Sequence, residues 1–227
     1  MVIILPCAGG CAANFRSYTS NKEFCAYEYS GHWSRYEEPL EMSINQIACS
    51  IERDLEKYYY QELYLFGHSM GGLIAWQLAH KLITDGFRVK ALYVAACCPP
   101  GIRPDFIENI NNDSDIKKLL GNIRQVPDRV LNSAFFNEDL LPIIRNDFNL
   151  VKEYIKGFQD VKFESLSVPI ICLCGANDPV VDVEEMRKWE KYTSKEFKCI
   201  VYPGNHFFVY DKSNVGKIVS QIIGENY

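Results

Sequence analysis

A serine flanked by glycines, in the run Gly67-His68-Ser69-Met70-Gly71, has the spacing of an exposed nucleophile. Before it, Leu63 to Phe66 predict a strand, and residues 73–79 after it predict a buried helix. A strand that turns sharply into a helix strains its corner residue, and flanking glycines remove the side chains that would collide there. The pattern predicts a nucleophile elbow with Ser69 at its corner. The alternative is a chance match in which Ser69 is a turn or capping residue.

A serine hydroxyl is a weak nucleophile at neutral pH, so Ser69 would need a base and an orienting acid elsewhere in the chain. Among the four histidines, His206 has the most suitable position, because it follows a predicted strand over residues 198–201 and precedes a predicted C-terminal helix. His68 is expected to point away from Ser69, and His80 to be a packed or solvated helical residue. His206 is therefore the predicted base.

The predicted acid is Asp178, which follows a continuous apolar run over residues 169–174 of the kind that forms a buried parallel strand. A turn aspartate before Pro179 is the alternative. Asp182 is a rival acid, but its spacing to Glu185 favours helix capping. Ser69, Asp178 and His206 occur in the chain order of an α/β-hydrolase triad.

An oxyanion formed at Ser69 would need two N–H donors, one from the residue after the nucleophile and one from the loop after an early strand. Met70 would supply the first. The short apolar run from Val2 to Leu5 predicts the early strand, and the loop after it, residues 7–13, has almost no side-chain bulk. Small residues let the backbone approach a bound acyl group, although an ordinary Gly-Gly turn would look the same.

Taken together, four segments resemble the external, or type II, thioesterases that work beside nonribosomal peptide and polyketide synthases. The segments are Leu5-Pro6-Cys7-Ala8-Gly9-Gly10, the stretch from Gly31 to Pro39 with Arg35 and Glu38 in register, the elbow over residues 67–72, and Asp178 with His206-Phe207-Phe208. The resemblance covers most of the chain and is weak in residues 100–160. Cys7, His32 and Trp33 depart from the residues usual in the family.

The resemblance implies that Ser69, Asp178 and His206 are catalytic, that Ala8 and Met70 donate to the oxyanion, and that Cys7, Gly9 and Phe207 lie at the substrate. It further implies a substrate carried as an acyl thioester on the phosphopantetheine arm of a carrier protein, with no metal or other cofactor. Alternatives are an acyl-CoA thioesterase, a carboxylesterase, or a catalytically silent interaction protein on a hydrolase scaffold.

The elements that would position these residues predict an α/β-hydrolase fold. We expect one domain over residues 1–227, with a mostly parallel sheet and helices on both faces. Ser43 and Gln46 have the spacing of a capping box, and residues 89–95 predict another buried strand. The polar stretch over residues 101–160 is longer than an ordinary strand-to-helix connection, and it predicts a helical lid insertion.

Composition agrees with a cytoplasmic enzyme, which we expect to be a monomer. A net charge of −5 argues against a nucleic-acid partner, and no apolar run is long enough to suggest a membrane span. We expect no secretory signal, because the short apolar start is followed at once by a glycine loop and lacks a basic region and a cleavage site. The nine cysteines show no paired metal-binding spacing, and Cys7 alone is expected to be reactive, because of its place near the oxyanion loop. Carrier docking is predicted at positive residues of the lid, with an ordinary solvated helix surface as the alternative. These residues are Lys117, Lys118, Arg124 and Arg129.

Overall fold

Short apolar runs form a six-stranded sheet in the computed structural model, which describes residues 1–123, 126–158 and 163–224. The strands are β1 (Val2–Leu5), β2 (Phe24–Ala26), β3 (Glu62–His68), β4 (Arg88–Ala95), β5 (Ile170–Gly175) and β6 (Phe197–Tyr202). Their order across the sheet is β2-β1-β3-β4-β5-β6, and every neighbouring pair is parallel. A parallel sheet needs cover on both faces, which explains why β1 and β5 consist of buried residues throughout.

Helices supply that cover. Within the described residues they are α1 (Arg16–Thr19), α2 (Ile44–Asp54), α3 (Met70–Thr84), α4 (Asp105–Glu108), α5 (Asp113–Asn122), α6 (Asp128–Leu131), α7 (Leu141–Gly157), α8 (Val183–Arg187) and α9 (Lys212–Gly224). Single turns of 3-10 helix occupy Ala12–Phe15, Trp33–Arg35, Glu56–Tyr58, Lys188–Tyr192 and Phe208–Tyr210, and Phe136–Leu140 is π-helical. None of the helices in these ranges has the length and apolarity to cross a membrane.

The two faces of the sheet have separate apolar cores, because successive strand residues point to opposite sides. Ile3 and Leu5 belong to the core that contains residues of α2, α3, α7 and α8. Val2 and Ile4 belong to the core that contains residues of α1 and α9. Helices on both faces of a parallel sheet confirm the predicted α/β architecture.

Helices α4 to α7 lie between β4 and β5, in the stretch that the sequence predicts to be helical. The longest of them, α7, has an apolar stripe and contacts both α2 and α3. The stripe consists of Leu141, Ile144, Phe148, Val151 and Ile155. One acidic residue, Asp147, lies in the same stripe and is completely buried. Its carboxylate therefore requires a partner inside the protein.

Two local features differ from the sequence-based expectations. The edge strand β2 is not predicted, because it has three residues, one of them the exposed Cys25. At the start of α2, the Ser43 hydroxyl accepts from the Gln46 N–H at 3.1 Å, as predicted. The Gln46 side chain, however, accepts from the N–H of Met42 at 2.8 Å, so the reciprocal half of the capping box is displaced by one residue.

Candidate active site

Ser69 is the corner between β3 and α3, with φ 54° and ψ −122°. Non-glycine residues rarely adopt positive φ, and holding one there costs about 1–3 kcal/mol. The corner is fixed on both sides: the Ser69 N–H donates to the Ala95 carbonyl at 2.8 Å, and the Ser69 carbonyl accepts from the Gly72 N–H at 2.8 Å. These bonds hold the strained conformation that turns the serine side chain out of the sheet.

The glycines on either side of Ser69 lie where other backbone segments pass too closely for a side chain. A Cβ at Gly67 would stand 2.2 Å from the Gly71 carbonyl oxygen, and a Cβ at Gly71 would stand 2.1 Å from the Leu5 carbonyl oxygen. Since Leu5 ends β1, the start of α3 is pressed against the loop that follows β1. This is the point at which the strand order reverses, where ligands bind in open α/β sheets.

The structure joins Ser69, His206 and Asp178 in one hydrogen-bonded chain. His206 Nε2 lies 3.1 Å from Ser69 Oγ, and His206 Nδ1 lies 2.9 Å from Asp178 Oδ2. The His206 and Asp178 side chains are 5% and 1% exposed, so water screens their interaction little. Because a carboxylate accepts, Nδ1 carries a proton and Nε2 is free to accept the proton of the Ser69 hydroxyl.

The Asp178 carboxylate is itself held in place. Its Oδ1 accepts from the N–H groups of Val180 and Val181, at 2.8 and 3.2 Å, which leaves Oδ2 directed at His206. The rival acid, Asp182, is the N-cap of α8 and accepts from the Glu185 N–H at 2.7 Å. His206 therefore pairs with Asp178, and Asp182 caps the N-terminus of α8.

Behind the base, His68 contacts the main chain of His206. His68 Nε2 lies 2.8 Å from the His206 carbonyl oxygen, and Nδ1 lies 3.2 Å from the Tyr210 hydroxyl. A side chain placed there points away from the Ser69 hydroxyl, as predicted. His80, on α3, packs its ring against Trp76 with 4.3 Å between ring centroids.

Beside Ser69 lies a small apolar chamber with a volume of about 40 Å³. Ala8 and Met70 line it together with Ser69, and the N–H groups of Ala8 and Met70 donate to no acceptor within the described residues. The helical segment between β4 and β5 supplies much of the remaining wall: Pro104, Phe106, Ile107, Phe148, Val151 and Ile155. Two free donors on residues that line an apolar chamber are suited to an oxyanion and its acyl tail.

Cys7 is a buried residue whose Sγ lies 3.7 Å from the Tyr210 hydroxyl. Burial raises the pKa of its thiol to about 11, and the Tyr210 hydroxyl offsets this in part. Since the thiolate is the reactive form, the expectation that Cys7 is reactive is wrong. The sequence places Cys7 near the oxyanion loop, but it does not show that the thiol is buried. Burial is what suppresses ionisation of the thiol.

Neither Cys7 nor the other two predicted substrate contacts belongs to the lining of the chamber beside Ser69 in the described residues. Phe207 packs its ring edgewise on His206, with 5.2 Å between centroids. Gly9 lies against α7, where a Cβ would stand 2.5 Å from Ile144 Cγ1. These residues surround the Ser69 region, and their contact with substrate stays a prediction.

His32 and Asp147 form a buried pair that sequence reasoning missed. His32 Nε2 lies 3.0 Å from Asp147 Oδ2, and the same oxygen accepts from the Gly9 N–H at 2.8 Å. Burial opposes the charged imidazole, but Asp147, the Ser30 carbonyl and Glu28 together outweigh it, so the pKa of His32 lies above its ordinary value. The sequence held one signal for this pair, an acid inside the apolar stripe of an amphipathic helix.

Trp33, next to His32, is 44% exposed and borders a separate open groove with Tyr36 and Phe135. Over the described ranges, no cluster of three or more metal-binding side chains occurs.

Comparison with known proteins agrees with this geometry. A thioesterase-domain family model matches residues 1–225. The thioesterase TesA of Mycobacterium leprae is 29% identical over 226 residues, which cover 96% of this chain and 84% of TesA. The thioesterase PikA5 of Streptomyces venezuelae is 27% identical over 220 residues, covering 93% of this chain and 76% of PikA5.

The solved structure of ClbQ from the colibactin NRPS/PKS pathway is similar to this chain with a TM-score of 0.81 at 25% identity, covering 97% of this chain and 94% of ClbQ. The predicted α/β-hydrolase fold and the predicted resemblance to thioesterases are thus confirmed. The family match extends across β1, the elbow at Ser69 and the loops that hold Asp178 and His206. The chain belongs to the thioesterase domain family and is a thioester hydrolase.

Proposed function

We propose that this thioesterase hydrolyses acyl thioesters on the phosphopantetheine arms of carrier proteins in nonribosomal peptide or polyketide synthesis. The observation that carries the proposal is the hydrogen-bonded chain of Ser69, His206 and Asp178 beside an apolar chamber. The relatives support the setting, because ClbQ is described as part of an NRPS/PKS pathway. Removal of stalled or incorrect acyl groups from carriers is the corresponding biological role.

In the proposed reaction Ser69 Oγ attacks the thioester carbonyl while His206 Nε2 takes its proton. The N–H groups of Ala8 and Met70 hold the oxyanion, and Asp178 stabilises the imidazolium through Nδ1. Collapse of the intermediate expels the thiol, which takes the proton from His206. Water then attacks the acyl-serine with His206 as base, and the carboxylic acid leaves.

The chamber favours a short, uncharged acyl group. With a volume of about 40 Å³ the chamber is far smaller than the pockets that usually enclose ligands, so long chains require movement of the surrounding helices. Apart from Ser69, the lining residues in the described ranges carry no polar side chain beyond the thiols of Cys97 and Cys98. An acyl group bearing a charge would lose its hydration there without compensation.

Helices α4 to α7 act as the lid of a single domain in this proposal, and the carrier docks on their outer surface. Lys118 and Arg129 are exposed, and Lys117 is half-buried beside Lys118 on α5. The fourth predicted docking residue, Arg124, lies outside the described residues. Positive side chains on the lid would attract an acidic carrier locally even though the whole chain has a net charge of −5. A cytoplasmic monomer that meets its carrier transiently fits this arrangement.

A substrate panel tests the proposal: one acyl group is presented on a carrier protein, on CoA and as a simple ester, and kcat/KM is measured for each. The carrier thioester should be hydrolysed with the highest kcat/KM. Preference for CoA or for the ester would support an acyl-CoA thioesterase or a carboxylesterase instead. Failure of Ser69 to react with a fluorophosphonate would support a silent interaction protein.

The docking surface is tested by the double variant Lys117→Gln with Lys118→Gln. Its matched control is Lys212→Gln with Lys217→Gln, which removes the same charge from exposed positions of α9 on the other face of the sheet. The lid variant should lower kcat/KM for the carrier substrate and leave the CoA substrate unchanged, whereas the control should alter neither. Equal loss in both double variants would remove the docking site from the proposal.

A further inference from the structure

His32 has both ring nitrogens directed at atoms that accept hydrogen bonds. Nδ1 lies 3.0 Å from the Ser30 carbonyl oxygen, and Nε2 lies 3.0 Å from Asp147 Oδ2. A neutral imidazole has one N–H donor and could satisfy one of them. Asp147 Oδ2 also accepts from the Gly9 N–H at 2.8 Å. The geometry is therefore that of an imidazolium ion paired with a carboxylate.

This pair is closed to solvent. The His32 and Asp147 side chains are 3% and 1% exposed, and Asp147 Oδ1 has no partner among the described residues. Breaking such a pair from one side leaves an uncompensated buried charge, which strongly destabilises a fold. The fold therefore places a buried ion pair, whose desolvation is costly, beside the loop after β1.

The pair is attached to the loop that carries Ala8. Asp147 holds the Gly9 N–H at 2.8 Å, and Trp33, the residue after His32, donates from Nε1 to the Gly9 carbonyl at 3.4 Å. Trp33 takes a φ of 32°, in the region that favours glycine, so its backbone is strained in this position. Both peptide groups of Gly9 are therefore fixed by neighbouring residues.

Fixing Gly9 also fixes Ala8, because the Gly9 N–H belongs to the peptide plane that follows the Ala8 Cα. A plane that cannot rotate limits the rotation of the preceding one, whose N–H is the proposed oxyanion donor. We propose that His32 and Asp147 are positioning residues, which hold the Ala8 N–H toward the oxyanion through the backbone of Gly9. This inference rests on the function proposed above.

Protonation of His32 then links activity to pH. The pair requires the imidazolium, and His32 loses its proton as the pH rises through a pKa that lies above the ordinary value. The titratable groups that face the pair are Cys7 after β1 and Glu28 and Tyr29 after β2; Glu41, before α2, interacts with Tyr29. Burial raises the pKa of both Cys7 and Tyr29, so those two groups stay neutral while His32 titrates. The pair therefore supports activity fully at pH values below the pKa of His32, and this support disappears at pH values above it.

Kinetics of His32→Gln, His32→Arg and Asp147→Asn test the proposal. Loss of the pair should misplace the oxyanion donor without removing it, and so lower kcat about 10–100-fold with little change in KM; complete removal of such a donor costs about 100–1,000-fold. Since a guanidinium stays charged, His32→Arg should retain activity at alkaline pH where the wild-type rate declines. The matched control is Arg145→Gln, which breaks an exposed ion pair with Asp113 on the same helix and should leave kcat and the pH profile unchanged.

A second measurement does not depend on folding of the variants. Histidine-selective ¹⁵N NMR of the wild-type protein should show both His32 nitrogens protonated at neutral pH; a neutral ring would overturn the proposal. So would a His32→Gln variant that melts earlier yet keeps the wild-type kcat and pH profile. If the wild-type chain hydrolyses no thioester at all, the proposed function fails, while the NMR result still decides whether the ion pair exists.

Discussion

His68 donates a hydrogen bond from Nε2 to the main-chain carbonyl of His206, with 2.8 Å between the two atoms. A carbonyl accepts, so this contact fixes the His68 tautomer, and Nδ1 is left to accept from the Tyr210 hydroxyl. The residue before Ser69 thereby supports the backbone of the base that serves Ser69. This hydrogen bond links the end of strand β3 to the loop after β6, directly behind the candidate triad.

This contact predicts acid sensitivity. Burial lowers the pKa of His68 from 6.5 to about 3, so below pH 6.5 the unfolded chain binds a proton that the folded chain excludes. The free energy of unfolding should therefore fall as the pH decreases from 6.5 toward 3. His68→Leu should reduce that slope and lower stability at pH 8 by about 1–3 kcal/mol, because the His206 carbonyl loses its partner. Urea unfolding at several pH values measures both effects, and an unchanged slope in His68→Leu would contradict the assignment.

Ser69→Ala should abolish thioester hydrolysis, lowering kcat about a million-fold, while the fold persists. The hydroxyl contributes little to packing, since its described contact is the hydrogen bond to His206. Turnover, circular dichroism and fluorophosphonate labelling of the same preparation check the prediction. A folded variant that still turns over substrate would exclude Ser69 as the nucleophile.

Asp178→Asn should lower kcat about ten-thousand-fold near neutral pH, because an amide at this position favours the wrong tautomer of His206. Asp182→Asn is the matched control: it makes the same chemical change four residues after Asp178, and asparagine is also a good N-cap for α8. Steady-state kinetics of the two variants should therefore differ by several orders of magnitude. An exchange of the two outcomes would assign the acid to Asp182.

Phe148→Leu should shift the acyl preference, because Phe148 lines the chamber beside Ser69. A smaller side chain leaves room for a longer tail, and kcat/KM for a medium-chain thioester relative to the acetyl thioester should rise about tenfold. Phe136→Leu makes the same change in the core, outside that lining, and should leave the ratio unaltered. A chain-length series of thioesters measures both ratios, and a shift shared by the two variants would exclude the chamber as the acyl site.

Alkylation with iodoacetamide at pH 7.5 should modify Cys199 and Cys25 well before Cys7. The hydrogen bond with the Cys174 thiol lowers the pKa of Cys199 to about 7, and Cys25 is exposed, whereas Cys7 is buried with a pKa of about 11. Peptide mass spectrometry over a time course gives the order, with urea-unfolded protein as the control in which these sites react alike. Early modification of Cys7 in the folded protein would contradict its burial.

Sequence patterns predicted the parts of the site that local chemistry determines. Ser69, Asp178 and His206 each follow a strand, and the structure places all three at the carboxyl ends of β3, β5 and β6. The stripe of α7 could have marked Asp147 as unusual, but its pairing with His32 could not be predicted, because the two are 115 residues apart and meet only when α7 docks on the loop after β2. The state of Cys7 depends likewise on burial among residues distant in the chain.

The position of β6 at the edge of the sheet has a consequence for thermal inactivation. Edge elements open locally at a lower free energy than the centre of a fold, and the loop that carries His206 leaves the end of β6. Ser69, by contrast, follows the interior strand β3. Partial opening at this edge of the sheet would therefore separate His206 from Ser69 before the core unfolds. Catalytic activity would then be lost at a lower temperature than that of cooperative unfolding.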